Sequence, residues 1–96
     1  MEATITKEKL DNYFSVTQRA LEQVKKAFNS ERKTEAAEVL DMAQRYHDDA
    51  HFFLKKGDAV TAFAALNYAH GWLDAGARLG LFLVHDSALF TVDGEN

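Results

Sequence analysis

The feature of this sequence that most constrains its fold is the absence of proline from all 96 residues. Average usage would supply about five prolines in a chain of this length. Proline ends or kinks a helix, because it lacks the amide proton and clashes with the preceding turn. Since only five glycines offer other interruptions, long helices can form, and the sequence predicts an all-α protein.

Length and composition predict one domain over residues 1–96. The chain is 47% hydrophobic and 11% aromatic, which is enough to bury a core. It contains no cysteine, so disulfides and thiolate chemistry are excluded and stability depends on packing. No apolar run approaches the about 18 residues that mark a membrane span, and the N-terminus lacks a signal-peptide pattern. We therefore expect a cytoplasmic protein that does not associate with a membrane.

The charge balance bears on the class of partner. Eleven basic and fifteen acidic residues give a net charge of -4 at pH 7. This balance disfavours a polyanion, so nucleic acid is not the expected partner.

The first helix is predicted over about residues 6–29. Thr6 is placed as its N-cap, with Ile5 before the cap and Leu10 positioned for a hydrophobic staple. Apolar residues and one threonine then alternate in steps of four and three, the spacing of a stripe that packs on a partner helix. The members of this stripe are Leu10, Phe14, Thr17, Leu21, Val24 and Phe28.

The second and third helices are predicted over about residues 31–56 and 58–82. Ser30 and Thr34 are alternative N-caps, so the second helix begins at residue 31 or 35. Gly57 suits the left-handed position that ends a helix, and Asp58 can cap the next one. Because nearly half of the positions between residues 59 and 80 are Ala or Gly, we expect the third helix to be central and closely packed.

These elements predict an up-and-down three-helix bundle with left-handed packing. Each helix would be roughly 30 Å long, and the short connections make sequential helices antiparallel neighbours. Residues 83–96 break the helical period and are expected to be an irregular tail. Within that tail, Leu89, Phe90 and Val92 would cover one end of the bundle as a short extended segment.

The stretch YHDDAH places His47 and His51 four residues apart on the second helix. Two histidines at this spacing can reach one zinc ion, and an acid after the first histidine is part of the metalloprotease pattern. Here Asp48 stands in that position, but no spacing in the chain indicates a third protein ligand. We expect both histidines to lie at or near the helix surface, with His47 at the margin of the apolar stripe, and we expect no metal or cofactor.

The third helix carries a polar strip of four residues, which are Asn67, His70, Asp74 and Arg78. Their spacing of three and four puts them on one side of a helix that is otherwise small and apolar. A buried strip would need internal partners, and Asp74 could accept from both His70 and Arg78. In that case the substitution Asp74→Ala would cost about 2–4 kcal/mol. Alternatively, the strip is a site for a ligand or partner, to which Tyr46 and Asp49 could contribute.

The segments AAEVLDMAQRYHDDAHFFLKKG and GDAVTAFAALNYAHGWLDAGARLGLF resemble the archaeal family catalogued as domain of unknown function 357. The resemblance covers roughly residues 10–85 and is most specific in NYAHGWLDAGARLG. Matching positions are Tyr46, Asp49, Ala50, Gly57, Asp58, Tyr68, Ala69, His70, Gly71, Leu73, Asp74, Arg78, Leu79 and Gly80. The resemblance implies a three-helix up-and-down bundle and no particular activity. It places His70, Asp74 and Arg78 inside the shared motif and leaves His47 and His51 outside it.

Two hypotheses for function follow. The first is a non-enzymatic protein-interaction or adaptor module, which could form a homodimer through its Ala and Gly surface or bind an unidentified protein. The second is a site on the third helix that binds a small ligand, or binds or processes a nucleotide, through His70, Asp74 and Arg78. The absence of a convergent catalytic set and the small size favour the first.

Overall fold

A computed structural model describes residues 5–86 and 89–90. Within these residues the chain forms three helices and no strand: α1 spans Lys7–Val24, α2 spans Lys33–Lys55 and α3 spans Ala59–Arg78. The prediction of an all-α three-helix protein is confirmed. None of these helices is both long and apolar enough to cross a membrane.

The predicted caps of α1 and α3 form as expected. The Thr6 hydroxyl accepts from the backbone amide of Lys9 at 3.1 Å, and the Asp58 carboxylate accepts from the amide of Thr61 at 3.0 Å. Between α2 and α3, Gly57 has a φ of 82°, a conformation that glycine adopts without steric cost. Glycine and aspartate therefore give a tight turn between two antiparallel helices.

Ring contacts establish the directions of the helices. Phe14, in the first half of α1, lies 4.5 Å from His51 near the end of α2, measured between ring centroids. Tyr13 lies 4.8 Å from Phe63 near the start of α3. Hence α2 runs antiparallel to α1 and α3 runs parallel to it, in the up-and-down order that was predicted. As expected, α3 is the central helix: it packs extensively on α2 and less on α1, while α1 and α2 touch little.

The helix ends near the first connection differ from the prediction. The first helix stops at Val24 instead of residue 29, because the next residues bond to the segment after α3. The amide of Asn29 donates to the Leu81 carbonyl at 2.8 Å, and the amide of Leu83 donates to the Ala27 carbonyl at 2.7 Å. Phe28 thus leaves the helical seam and forms an isolated antiparallel bridge with Phe82.

The start of α2 lies between the two predicted positions, without either predicted cap, and α3 ends earlier than predicted. The second helix begins at Lys33 after Arg32, and Arg32 provides no side-chain cap. Its guanidinium instead donates to the Leu79 carbonyl at 2.8 Å, at the end of α3. The third helix ends at Arg78 instead of residue 82, since Gly80 takes a φ of 79° and turns the chain.

Gly76 is the position in α3 where close packing against a neighbouring side chain requires a glycine. Phe82 turns back after the helix and lies against this glycine, with its side chain 1% exposed. A Cβ atom at Gly76 would overlap the ring of Phe82. The small residue therefore makes room for the largest of the fully buried side chains.

The core consists of two clusters along the bundle. One lies toward the ends of α1 and α3 and includes the residues after α3; the other lies toward their beginnings. The buried members of the first are Ala20, Leu21, Val24, Ala36, Ala43, Leu73, Leu81, Phe82, Val84, Leu89 and Phe90. Those of the second are Leu10, Ala50, Ala65 and Leu66.

Two residues of the tail complete the core, although not in the extended form that was expected. Leu89 and Phe90 are each 3% exposed. Their amides donate to the Asp86 carbonyl at 3.0 and 2.9 Å, so the chain turns there. Val92, the third residue assigned to this contact, lies outside the described residues.

Candidate functional site

The polar strip of α3 lies at the edge of the core and is not enclosed by it. The side chains of His70 and Asp74 are 23% and 31% exposed, whereas Asn67 and Arg78 are exposed residues. The strip therefore passes from a half-buried centre to solvent at both ends.

His70 lies on α3 and contacts both α1 and the tail. Its Nε2 atom lies 2.6 Å from the carbonyl oxygen of Leu89, and its Nδ1 atom lies 3.5 Å from the Thr17 hydroxyl. Because a carbonyl can only accept, Nε2 must carry a proton in this arrangement. In the neutral ring, Nδ1 then accepts from Thr17 in a long hydrogen bond. The ring also stacks on Phe90, with centroids 6.4 Å apart.

The chain of bonds that was expected from His70 through Asp74 to Arg78 does not form. The Asp74 carboxylate lies 3.9 Å from His70 Nε2, at the outer limit of an ion pair and only if the ring is protonated. Arg78 is exposed and forms no ion pair within the described part of the chain. The physical reason is that His70 Nε2 donates to the Leu89 carbonyl, so this donor does not form the expected hydrogen bond to Asp74.

A small cavity opens beside this strip, between α1 and α3. Its volume is about 220 Å³, and it is lined by Tyr13, Val16, Asn67, His70, Gly71 and Asp74. The lining combines one carboxylate, one imidazole and one amide with apolar groups, which suits a small polar ligand. Three of the six predicted site residues therefore meet at one cavity.

The other predicted site residues lie elsewhere. Tyr46 of α2 stacks on Tyr68, with ring centroids 5.0 Å apart and planes at 16°, and Asp49 is exposed on α2. Neither residue lines the cavity beside His70. Arg78 is the last residue of α3 and points to solvent.

A second exposed surface runs along α3 beside the polar strip. The polar pattern of the sequence did not indicate it. We call it the α3 outer face. It consists of Val60, Ala64, Tyr68, Gly71, Ala75 and Leu79, all exposed and none charged. At its middle is an open depression of about 570 Å³, lined by Asn67, Tyr68, Gly71, Trp72 and Ala75. The small residues of α3 were expected to be packed inside the bundle, but those of this face are not.

The histidine pair of α2 is divided between core and surface. His47 is 4% exposed, contrary to the expectation that it lies at the margin, and its Nε2 atom is buried without a hydrogen-bond partner among the described residues. It packs against the rings of Phe14 and His51, with centroids 5.9 and 4.8 Å away. Burial is the main cause that lowers the pKa of His47 below its ordinary value of 6.5, and the nearby His51 lowers this pKa further.

In the part of the chain that the structure describes, no third metal ligand accompanies this pair. Asp48, the residue in the position of a metalloprotease base, is exposed and accepts from the Gln44 amide at 3.1 Å. Throughout residues 5–86 and 89–90, no three His, Cys, Asp or Glu side chains are grouped so that they could hold a metal ion.

Comparison with known proteins gives one match. Searches of curated proteins and of solved structures find no match to this chain. A family model described as "Protein of unknown function (DUF357)" matches residues 12–82, which include all three helices apart from the first five residues of α1. This chain therefore belongs to the DUF357 family.

Proposed function

We propose that this protein is a non-enzymatic protein-interaction module whose binding surface is the α3 outer face. The observation that carries the proposal is the exposure of three large apolar side chains along one helix. Val60, Tyr68 and Leu79 are each 63% exposed. Scattered apolar residues are normal on a protein surface, but a continuous strip around a depression is typical of an interaction site.

Tyr68 is the expected anchor of this surface. Aromatic side chains near the centre of an interface contribute a large share of binding energy, because they bury much area for few rotatable bonds. Tyr68 lies midway along α3 and borders the depression at Gly71. Its ring is already stacked on Tyr46, so less side-chain entropy is lost when a partner binds.

The chemistry of the surface favours a protein partner over nucleic acid. None of its six residues is charged, and Arg78 is the one basic side chain of α3. Binding to a phosphate backbone depends on several lysines or arginines, whereas an apolar strip about 30 Å long fits a helix.

Photo-crosslinking in the native cell tests this proposal. A benzoyl-phenylalanine residue would be placed at Ala64 on the α3 outer face and, as a matched control, at Ala37, an exposed alanine of α2. We expect covalent adducts with a discrete protein from position 64 and none above background from position 37. The same adducts from both positions, or no protein adduct from position 64, would reject the proposal.

The cavity beside His70 supports a second candidate, a small-ligand or nucleotide site that uses His70 and Asp74. A volume of about 220 Å³ holds a nucleobase or a phosphate group but not a whole nucleotide. Calorimetric titration with adenosine monophosphate tests this function, with Asn67→Ala and Asp74→Asn as variants of the lining. Heat of binding that both variants reduce would support the site. No heat from the unmodified protein at millimolar nucleotide would reject it.

A further inference from the structure

We infer that the α3 outer face binds a second copy of this chain, with the two α3 helices antiparallel. The inference rests on the proposed function, because it names the occupant of the same surface. What identifies the occupant is that the face complements itself when one copy is rotated by 180°.

The order of side-chain sizes along the face provides the first argument. The exposed positions form three pairs that are symmetric about the peptide bond between Ala69 and His70: Val60 with Leu79, Ala64 with Ala75, and Tyr68 with Gly71. In a twofold dimer, residue i of one copy contacts residue j of the other, and j contacts i. Centring the axis on that peptide bond therefore places the two members of each pair at the same height.

The sizes within the pairs allow the two helices to approach closely. Ala64 meets the partner's Ala75 on both sides of the axis, so nothing larger than a methyl group separates the backbones there. At the centre, Tyr68 lies level with the partner's Gly71, where no side chain competes for space. A Cβ atom added at Gly71 would have no neighbour within 4 Å in the single chain, so the chain's own packing leaves this space unfilled. At each end, Val60 lies level with the partner's Leu79.

A parallel pair would not make these contacts. It would place Tyr68 at the height of the partner's Tyr68 and Gly71 at the height of the partner's Gly71. Two large rings would then meet at one level and a void would remain at the next, which costs packing energy. In the antiparallel arrangement the two Tyr68 rings differ in height by about 4.5 Å, and each ring lies level with the partner's Gly71.

Charge provides an independent argument. Two copies that each carry a net charge of -4 repel one another, so a self-association surface must keep acids apart. No residue of the α3 outer face is acidic. The exposed side of α2 is different, because it carries five acids against three basic residues, and a twofold contact there would bring an excess of negative charge together.

The area of the face indicates a weak dimer. One helix of 20 residues presents a strip about 30 Å long and about 10 Å wide, and its area of roughly 300 Å² is well below the roughly 800 Å² per partner of a standard interface. The test must therefore trap a dimer that dissociates readily.

Disulfide trapping meets this need, because the natural sequence contains no cysteine. The two variants are Ala64→Cys and Ala75→Cys. These positions are about 16 Å apart along one helix, so they cannot form a disulfide within a chain or, in the antiparallel dimer, with the same position of the partner. In that dimer, however, position 64 of one copy lies against position 75 of the other.

We expect a mixture of the two variants to form the mixed disulfide dimer about tenfold or more faster than either variant alone forms its own. The double variant should likewise give a dimer joined by two disulfides. Equal rates in all samples would overturn the inference. Faster dimerisation of either single variant alone would overturn it as well, in favour of a parallel pair.

The result is separable from that of the proposed function. If position 64 gives photo-adducts with a different protein and the cysteine mixture shows no preference, the interaction surface stands and the second copy is rejected. If neither experiment gives a product specific to the face, both are rejected. The variant Ala64→Glu, which keeps helix propensity, should abolish the mixed disulfide between Val60→Cys and Leu79→Cys, while Ala37→Glu should leave it unchanged.

Discussion

The imidazole of His70 and the backbone carbonyl of Leu89 are joined by a hydrogen bond of 2.6 Å across 19 residues of sequence. This bond fastens Leu89 to the central helix. The first prediction concerns the strength of this connection.

We expect His70→Ala to destabilise the fold by about 1–3 kcal/mol and Asp74→Ala by less than about 1 kcal/mol. The first substitution removes the donor to Leu89 and leaves a buried carbonyl without it. The second affects a carboxylate that is 31% exposed, so solvent screens the interactions that it makes. Urea unfolding of the two variants beside the natural protein measures the difference. A larger loss for Asp74→Ala would mean that the carboxylate organises the strip, as the sequence pattern suggested.

Gly76 and Gly71 provide a matched pair within one helix. We expect Gly76→Ala to destabilise by about 1–3 kcal/mol, because the added methyl group overlaps the buried ring of Phe82. Gly71→Ala meets nothing within 4 Å and should stabilise by about 0.5–1 kcal/mol through helix propensity. Thermal unfolding compares the two variants at low protein concentration, which keeps self-association from contributing to the result. Similar effects of both substitutions would contradict the close contact at Gly76.

His47 gives the fold a predicted pH dependence. Its pKa is lower in the folded chain than the ordinary 6.5, so the unfolded chain binds this proton first as pH falls. The stability is therefore intact above about pH 6.5 and is lost between that value and the lower pKa of the folded state. His47→Leu should flatten this part of the curve of unfolding free energy against pH.

The control for that experiment is His51→Gln, which removes the exposed neighbour and keeps the buried ring. Because His51 is a secondary cause of the lowered pKa, the control should retain most of the pH dependence. An unchanged slope in His47→Leu would show that other groups cause it.

Asn29 joins the first connection to the end of α3. Its Nδ2 atom donates to the Gly80 carbonyl at 2.9 Å, and its Oδ1 atom accepts from the amide of Glu31 at 3.0 Å. We expect Asn29→Ala to cost about 1–2 kcal/mol in urea unfolding. Asn29→Asp keeps the acceptor and loses the donor, so its free energy of unfolding should lie between those of the natural protein and of Asn29→Ala. If Asn29→Asp equals the natural protein, the bond to Gly80 contributes nothing.

The sequence predicted the fold where local chemistry decides it. The caps at Thr6 and Asp58 and the turn at Gly57 each depend on a few adjacent residues, and each is found where it was expected. The stripe of α1 was correct through Val24 for the same reason. It was wrong at Phe28, because a backbone bridge to Phe82 across more than 50 residues overrides the helical period.

The candidate site was less predictable, because it depends on contacts between distant segments. Nothing local to His70 indicates that its donor goes to Leu89 or that Thr17 faces its other nitrogen. Two other features did have a signal in the sequence. Ala43, His47 and Ala50 follow the four-and-three spacing of a buried stripe, and Arg78 before Gly80 is a pattern typical of a helix end.

The position of Phe82, Val84, Leu89 and Phe90 in the main core cluster affects how the protein is made. During synthesis, all three helices leave the ribosome before these residues, which belong to the same cluster as Leu21 and Leu73. We therefore expect the helices of the nascent chain to pack loosely, with an exposed apolar surface, until residue 90 has emerged. Val84, Leu89 and Phe90 also lie beyond the region matched by the family model, so a fragment cut at residue 82 would lack part of its own interior.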